Sequence, residues 1–186
     1  EMHRQVTHEK ATIDAFLIKY SRQNNIKVIP IYFRTPNEMI SALKAGEVSA
    51  IVTYVPVIQK LTDEFKVLHW FSEDDPEHVC CNIAAREEAI HSKHRQIKNF
   101  MLILNKQLNT FSKEDQILVD FIKKTYILSD EQVKDALSHT VFKMNLSEKD
   151  KTFELSTMQL FRELKYIDQI PVKDEIYEER FISELH

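Results

Sequence analysis

The sequence predicts an α/β fold in which a mostly parallel sheet is followed by a helix-rich carboxyl-terminal region. In about the first 86 of the 186 residues, short β-rich runs alternate with helical patterns. Such alternation indicates right-handed crossovers between parallel strands. Residues 87–186 have an almost wholly helical pattern. The single glycine, Gly46, also argues against the turn-rich sandwiches and barrels.

Composition excludes several classes of function. With one glycine, the chain has neither the G-x-G-x-x-G pattern of dinucleotide-binding proteins nor the phosphate loop of P-loop NTPases. The 25 Lys and Arg residues and the 29 Asp and Glu residues are interspersed, with a net charge of −4, so a nucleic-acid interface is not predicted. The longest apolar runs are far shorter than the roughly 20 residues of a membrane-spanning helix.

The first half is predicted to alternate helices and strands. Ile13, Phe16, Leu17 and Tyr20 share one face of a helix. A second helix has unusually complete end signals: Thr35 as N-cap with Glu38 three residues later, Pro36 at the first helical position, and Gly46 at the carboxyl end. A further helix is predicted from Pro56 to Leu61. The predicted strands are 27–33, in which Pro30 indicates an edge or a bulge, then 48–54, 65–71 and 78–85.

The second half is predicted to be a series of capped helices. Its apolar stripes are Ile97, Phe100, Met101, Leu104 and Leu108, then Leu118, Phe121 and Ile122, and then Phe153, Leu160, Phe161, Leu164 and Ile167. Predicted helix starts are Ser112, Ser129 with Gln132, and Ser147 with Asp150. Pro171 precedes a last helix predicted over 175–185.

Neither the histidines nor the cysteines predict a metal or cofactor site. The eight histidines show no metal-ligand spacing, and His91 and His94 are interpreted as solvated surface residues beside Lys93 and Arg95. The adjacent Cys80 and Cys81 are interpreted as small residues packed on opposite faces of a strand. No electropositive partner that would make either thiol reactive is evident. We therefore expect no catalytic residues, no metal and no cofactor.

The segment from His3 to His8 leaves two interpretations open. Arg4, Thr7 and His8 precede a predicted helix start, where free backbone N–H groups favour negative charge, so they could form the seat of an anionic or polar ligand. Alternatively, Thr7 is an ordinary N-cap near the chain end.

Several segments, in order, resemble a known family. The segments are 33–50, with the pattern P-x-E-M-x-x-A-L-x-x-G-E-V-x-A, then 54–56, then 78–88, beginning H-x-C-C, and finally 164–167 with 171–172 and Phe181. Together they resemble the substrate-binding proteins of the sulfonate, nitrate and thiamine-precursor type, which have the type II periplasmic binding fold. Two positions depart from the family pattern: Ser49 replaces an aspartate, and Val55 replaces the glutamate of a Glu-Pro pair.

The resemblance implies a two-lobed, non-enzymatic solute-binding component of an ABC importer, located in the periplasm or otherwise outside the cytoplasm. Residues 1–75 would form a second-lobe α/β domain, and residues 76–186 the return strand and helices of the first lobe. The ligand would be small and polar or anionic, such as nitrate, bicarbonate, a sulfonate or a thiamine-pyrimidine precursor, and the protein partner an ABC permease. The ligand-binding residues would be Arg4, Gln5, Thr7 and His8, at the helix start, and Tyr54, near a strand end.

The family pattern also includes opening first-lobe strands that have no counterpart here. We therefore expect a fragment of a two-lobed protein, or a chain whose partner strands come from a missing amino-terminal segment or a strand-exchanged homodimer. Two other functions stay open. One is the ligand-sensing domain of a signalling protein. The other is an enzyme similar to thiamine-pyrimidine synthases, which the paired cysteines and the histidines weakly suggest.

Overall fold

A three-stranded parallel sheet organises the amino-terminal half of the protein. The computed structural model describes residues 3–7, 11–76 and 78–183, with only the backbone described for residues 3–7 and for Asp174. The strands are β1 (His3–Thr7), β2 (Val28–Tyr32) and β3 (Ala50–Ile51). Their order across the sheet is β2-β1-β3, and Gln5 of the central strand pairs with Pro30 on one side and with Ala50 on the other.

Helices occupy most of the remaining chain. They are α1 (Thr12–Gln23), α2 (Pro36–Lys44), α3 (Phe71–Asp74), α4 (Glu87–Ser92), α5 (His94–Asn109), α6 (Gln116–Tyr126), α7 (Asp130–Ser138), α8 (Glu148–Glu163), α9 (Lys173–Ile176) and α10 (Arg180–Ser183). A 3-10 turn spans Ile58–Lys60. The predicted class, an α/β sheet followed by a helix-rich region, is confirmed.

Helix α2 begins and ends where its local signals predict. The Thr35 hydroxyl accepts a hydrogen bond from the Glu38 N–H at 3.2 Å, and the Glu38 carboxylate accepts one from the Thr35 N–H at 3.3 Å. This reciprocal pair satisfies two backbone donors that a helix start leaves free. After the helix, Gly46 has a φ of +72°, in the left-handed region that glycine adopts without strain.

Replacing Gly46 by alanine is expected to lower the free energy of unfolding by about 1 kcal/mol, the strain of a left-handed non-glycine residue. A Cβ added there meets nothing within 4 Å, so the effect is confined to the backbone. Urea unfolding measures it, with Gly46→Asn as the matched variant, because asparagine tolerates this conformation better. An asparagine variant less stable than the alanine variant would contradict the backbone explanation.

The start of the chain differs from the prediction. Residues 3–7 form the central strand β1, and helix α1 begins at Thr12 with Ala11 as its N-cap. Thr7 is therefore not an N-cap, and Arg4, Gln5 and Thr7 lie in a strand instead of at a helix start. β1 pairs with a strand on each side, so its backbone hydrogen bonds hold it in place. Its sequence did not predict a strand, because Val6 is its single strongly apolar residue.

Predictions for the strand at 27–33 and for residues 48–85 were only partly correct. Strand 27–33 is confirmed as edge strand β2, whereas 48–54 contains only the two-residue β3. The helix predicted from Pro56 to Leu61 is replaced by turns around the 3-10 segment. The strands predicted at 65–71 and 78–85 are wrong: both segments are described without strand pairing, and Phe71 begins α3. An apolar run becomes a strand only where another backbone lies alongside it.

Capping signals placed α7 and α8 correctly. Ser129 with Gln132 and Ser147 with Asp150 form the predicted capping boxes. The helix predicted to start at Ser112 begins later, because the Asp115 carboxylate accepts the N–H bonds of Ile117 and Leu118. The last predicted helix is instead two short ones, α9 and α10.

Two apolar clusters and the hydrogen bonds of one buried glutamine pack the helices against the sheet and against each other. Met39, Ala42 and Val48 form a cluster beneath the sheet, and Leu128, Val133 and Leu137 form another between α6 and α7. Gln59, in the middle of the 3-10 turn, is fully buried where that turn packs against α7. Its side-chain NH2 group donates to the Asp135 carboxylate at 3.0 Å, and its backbone carbonyl accepts a hydrogen bond from the Gln132 side chain at 2.8 Å.

A buried carboxylate joins α1 to both halves of the molecule. Asp14, in the first turn of α1, is fully buried. It accepts a hydrogen bond from the hydroxyl of Tyr166, just beyond the end of α8. The hydroxyl of Tyr32, at the end of β2, lies 3.5 Å from the other Asp14 oxygen.

Candidate ligand-binding groove

A large open groove, of about 1930 Å³, runs between the sheet edge and the carboxyl-terminal helices. Its walls include the start of α1, the residues after β3, and the unpaired segments 65–71 and 78–85. Parts of α5 and α8 and the segment 138–146 complete it. The groove therefore lies where the α/β half and the helical half meet.

The order of the strands fixes the position of this groove relative to the sheet. The chain passes from β1 through α1 to β2 on one side, and then through α2 to β3 on the other side of β1. The direction of winding thus reverses between β1 and β3. In open parallel sheets, ligands bind outside the carboxyl ends of the strands at such a reversal.

The residues that follow β3 carry polar groups into this region. Thr53 and Tyr54 line the groove, and Tyr54 is 40% exposed. The Thr53 hydroxyl oxygen is buried and has no hydrogen-bond partner among the described residues. Buried hydroxyls are normally paired, because leaving one unpaired costs about 1–3 kcal/mol. The backbone after Tyr54 turns sharply, since its carbonyl accepts bonds from the N–H groups of both Val57 and Ile58.

Of the predicted site residues that the structure describes, Thr7 ends β1 and Tyr54 follows β3, whereas Arg4 and Gln5 lie earlier in β1. Tyr54 lies three residues after the end of β3, as expected for a position near a strand end. Arg4, Gln5 and Thr7 lie on β1, beside β3. His8 is outside the described residues. Whether these residues bind a ligand stays a prediction.

Sequence reasoning did not assign Thr53 or the start of α1, Thr12 and Ile13, to the site. Thr12 is a polar residue at the first position of a helix that follows a central strand. Because β1 was not predicted as a strand, the strand order was unknown, and the position of Thr12 after a central strand could not be recognised.

Helix α5 forms an apolar wall of the groove. The predicted stripe residues Ile97, Met101, Leu104 and Leu108 line it. No side chain of this fully described helix is buried, and Phe100 and Ile103 are 53% and 64% exposed. The stripe is therefore a groove surface and not a packed core.

A polar network joins segment 78–85 and Tyr177, which follows α9, to α8. Glu154 of α8 accepts a hydrogen bond from the Asn82 amide and another from the Tyr177 hydroxyl, the latter at 2.8 Å. Burial raises the pKa of Tyr177, and the hydrogen bond to Glu154 raises it further. Tyr177 therefore stays a hydrogen-bond donor throughout the physiological pH range.

An ion pair between half-exposed Lys143 and buried Asp150 anchors segment 138–146. The Lys143 ammonium donates to both carboxylate oxygens of Asp150, at 2.7 and 2.8 Å, and Asp150 is 2% exposed. Burial alone would raise the pKa of Asp150, but hydrogen bonds from Lys143 and Ser147 outweigh it and lower that pKa. Asp150 is therefore ionised and paired at neutral pH.

The cysteine pair is not packed in a strand as predicted. Cys80 and Cys81 are free and exposed on the groove wall, with their sulfur atoms 3.8 Å apart. Desolvation by neighbouring groups, together with the adjacent Cys81, raises the pKa of Cys80 to about 11. Within the described part of the chain, no three His, Cys, Asp or Glu side chains are grouped so as to hold a metal ion.

Two solved structures are similar to this chain over nearly its whole length. One is the periplasmic aliphatic sulphonate binding protein SsuA from Escherichia coli, with a TM-score of 0.71, 17% identity, and coverage of 96% of this chain and 59% of that protein. The other is the ligand binding component of an ABC-type import system from Staphylococcus aureus with zinc bound, with a TM-score of 0.79, 18% identity, and coverage of 99% and 63%.

The chain has the type II periplasmic binding fold. It spans about three fifths of the length of these two structures. No family model and no curated protein matches the sequence. None of the described helices combines the length and the apolar character that crossing a membrane requires.

Proposed function

We propose that this chain is part of a solute-binding protein that captures a small polar or anionic ligand and delivers it to an ABC permease outside the cytoplasm. The ligand lies at the carboxyl edge of the sheet, between this wall and an opposing lobe. The ligand classes are those of the family resembled: nitrate, bicarbonate, a sulfonate or a thiamine-pyrimidine precursor. The similarity to two importer binding proteins supports the role but not any one ligand.

The observation that carries the proposal is the unpartnered hydroxyl of Thr53 beside the winding reversal between β1 and β3. A ligand with hydrogen-bonding oxygen or nitrogen atoms would supply the partner that this buried hydroxyl lacks. The start of α1 lines the same groove, and free N–H groups at a helix start favour an anionic group.

The predicted residues have complementary roles in this proposal. Arg4 pairs with an anionic group, and Gln5, Thr7 and His8 hydrogen-bond to the ligand. Tyr54, exposed at the groove, stacks on the ligand or donates its hydroxyl. No nucleic acid, metal or cofactor takes part, and the protein performs no reaction on its ligand.

Thermal unfolding of the two-lobed protein to which this chain is proposed to belong tests the proposal with sodium nitrate, sodium bicarbonate, an alkyl sulfonate and an aminopyrimidine. A ligand present at 100 times its Kd is expected to stabilise the folded state by about 2.7 kcal/mol and to raise Tm. Thr53→Val should reduce affinity about tenfold by removing the hydroxyl, whereas Thr53→Ser should retain binding. An unchanged Tm with all four ligands would argue against solute binding by this chain.

A second pair of variants tests the assignment of Arg4. Arg4→Ala is expected to weaken binding of an anionic ligand at least tenfold, because a charge-assisted hydrogen bond contributes about 1.5–3 kcal/mol. The matched control is Arg162→Ala, which removes an equal charge at an exposed position outside the groove. Equal affinities in the two variants would show that Arg4 is not a ligand residue, even if the chain binds the anion.

A further inference from the structure

The distance between the sulfur atoms of Cys80 and Cys81 indicates what kind of bond this pair of thiols can form. Their sulfur atoms lie 3.8 Å apart on the exposed groove wall. A disulfide requires a sulfur–sulfur distance of about 2.0 Å, so the two sulfurs are not at bonding distance. The present arrangement is therefore far from that of a disulfide.

The same separation matches a single atom bound by both sulfurs in a bent geometry. With bonds to sulfur of about 2.3 Å, the pyramidal angle of about 100° at a trivalent arsenic atom places the two sulfurs about 3.5 Å apart, close to the separation here, whereas linear coordination places them about 4.6 Å apart. The geometry thus favours a bent thiophilic centre over ions that bind two thiolates in a line.

The surroundings restrict the class of ligand further. Among the described residues, no third His, Cys, Asp or Glu side chain is grouped with this pair. The pair therefore lacks the additional protein ligands that a metal ion with three or four of them requires. A trivalent arsenic atom carrying one organic group needs only two sulfur ligands. Ile83, Ala84 and Ala85 line the groove next to the pair and offer an apolar surface to that group.

We propose that Cys80 and Cys81 form a bidentate site for monosubstituted trivalent arsenicals on the groove wall. With phenylarsine oxide, the two thiols form two As–S bonds and lose both S–H bonds. The oxide oxygen leaves with the two protons as one water molecule, and arsenic stays trivalent. The step needs no oxidant and no prior loss of protons, so a raised thiol pKa does not prevent it.

Titration of the reduced 186-residue chain with phenylarsine oxide tests the proposal. We expect one arsenical per chain by intact-mass analysis, the loss of two titratable thiols, and release by a dithiol but not by excess monothiol. Cys80→Ser and Cys81→Ser should each give an adduct that a monothiol removes. Because both side chains are exposed, neither substitution is expected to disturb folding, and circular dichroism checks this.

A synthetic peptide of residues 76–86 shows whether the folded structure, and not only the adjacent cysteines in the sequence, contributes to the affinity for phenylarsine oxide. The folded chain is expected to bind phenylarsine oxide at least tenfold more tightly than the peptide, because the fold holds the sulfurs near the bridging distance. Equal affinity of chain and peptide, or retention of monothiol-resistant binding by either serine variant, would overturn the proposal. This comparison requires no variant to fold, and its outcome is independent of the solute-binding proposal.

Discussion

Replacing Met39 by alanine is expected to lower the free energy of unfolding by about 3 kcal/mol, within the range for buried Met→Ala substitutions. Met39 is fully buried in the cluster beneath the sheet, with Ala42 and Val48, and Ile51 of β3 packs against that cluster. The substitution removes apolar contact and leaves a cavity. Urea unfolding followed by circular dichroism measures the change.

Met39→Leu is the matched variant, because it nearly conserves volume and should cost less than about 1.5 kcal/mol. If leucine were as destabilising as alanine, lost volume would not be the cause. The alanine variant should also weaken ligand binding, since its cluster supports the short strand β3 that leads to Thr53.

Replacing Lys143 by methionine is expected to lower the free energy of unfolding by about 2 kcal/mol, because it leaves the buried Asp150 carboxylate without its cation. Breaking a fully buried pair costs about 3–5 kcal/mol. The expected effect is smaller here because the Lys143 side chain is 35% exposed, and Ser147 also donates to Asp150. Urea unfolding at pH 7 measures the difference.

The pH dependence of the same pair has a definite sign. The pKa of Asp150 is lowered in the folded protein, so its stabilising contribution is complete above the unfolded pKa and disappears as the pH falls through the folded value. The deficit of Asp150→Asn should therefore be full at pH 7 and shrink below the ordinary aspartate pKa of about 3.9. A deficit that grew as the pH fell would contradict the direction of this shift.

Elements with local signals were predictable from the sequence. The capping boxes at Thr35, Ser129 and Ser147, and the left-handed Gly46, depend on residues within a few positions of each other. Their hydrogen bonds form inside the element, so no knowledge of the rest of the fold is needed.

Strands were less predictable because their partners are distant. The polar run at His3–Thr7 is a central strand, whereas the more apolar segments 65–71 and 78–85 are not strands. Tyr54 could be placed near a strand end, but Thr53 could not be recognised as part of the site. Its distinguishing property, a buried hydroxyl without a partner, exists only in three dimensions.

The contact of Asp14 with Tyr166 spans 152 positions of the chain. Asp14 lies in the opening turn of α1, at the end of that helix which faces the groove, and Tyr166 follows directly on α8. Phe16 of α1 also packs against Phe153 of α8, so the hydrogen bond and the ring contact together join these two helices. If the groove binds a solute as proposed, a shift of α8 would be felt at the start of α1, which lines that groove.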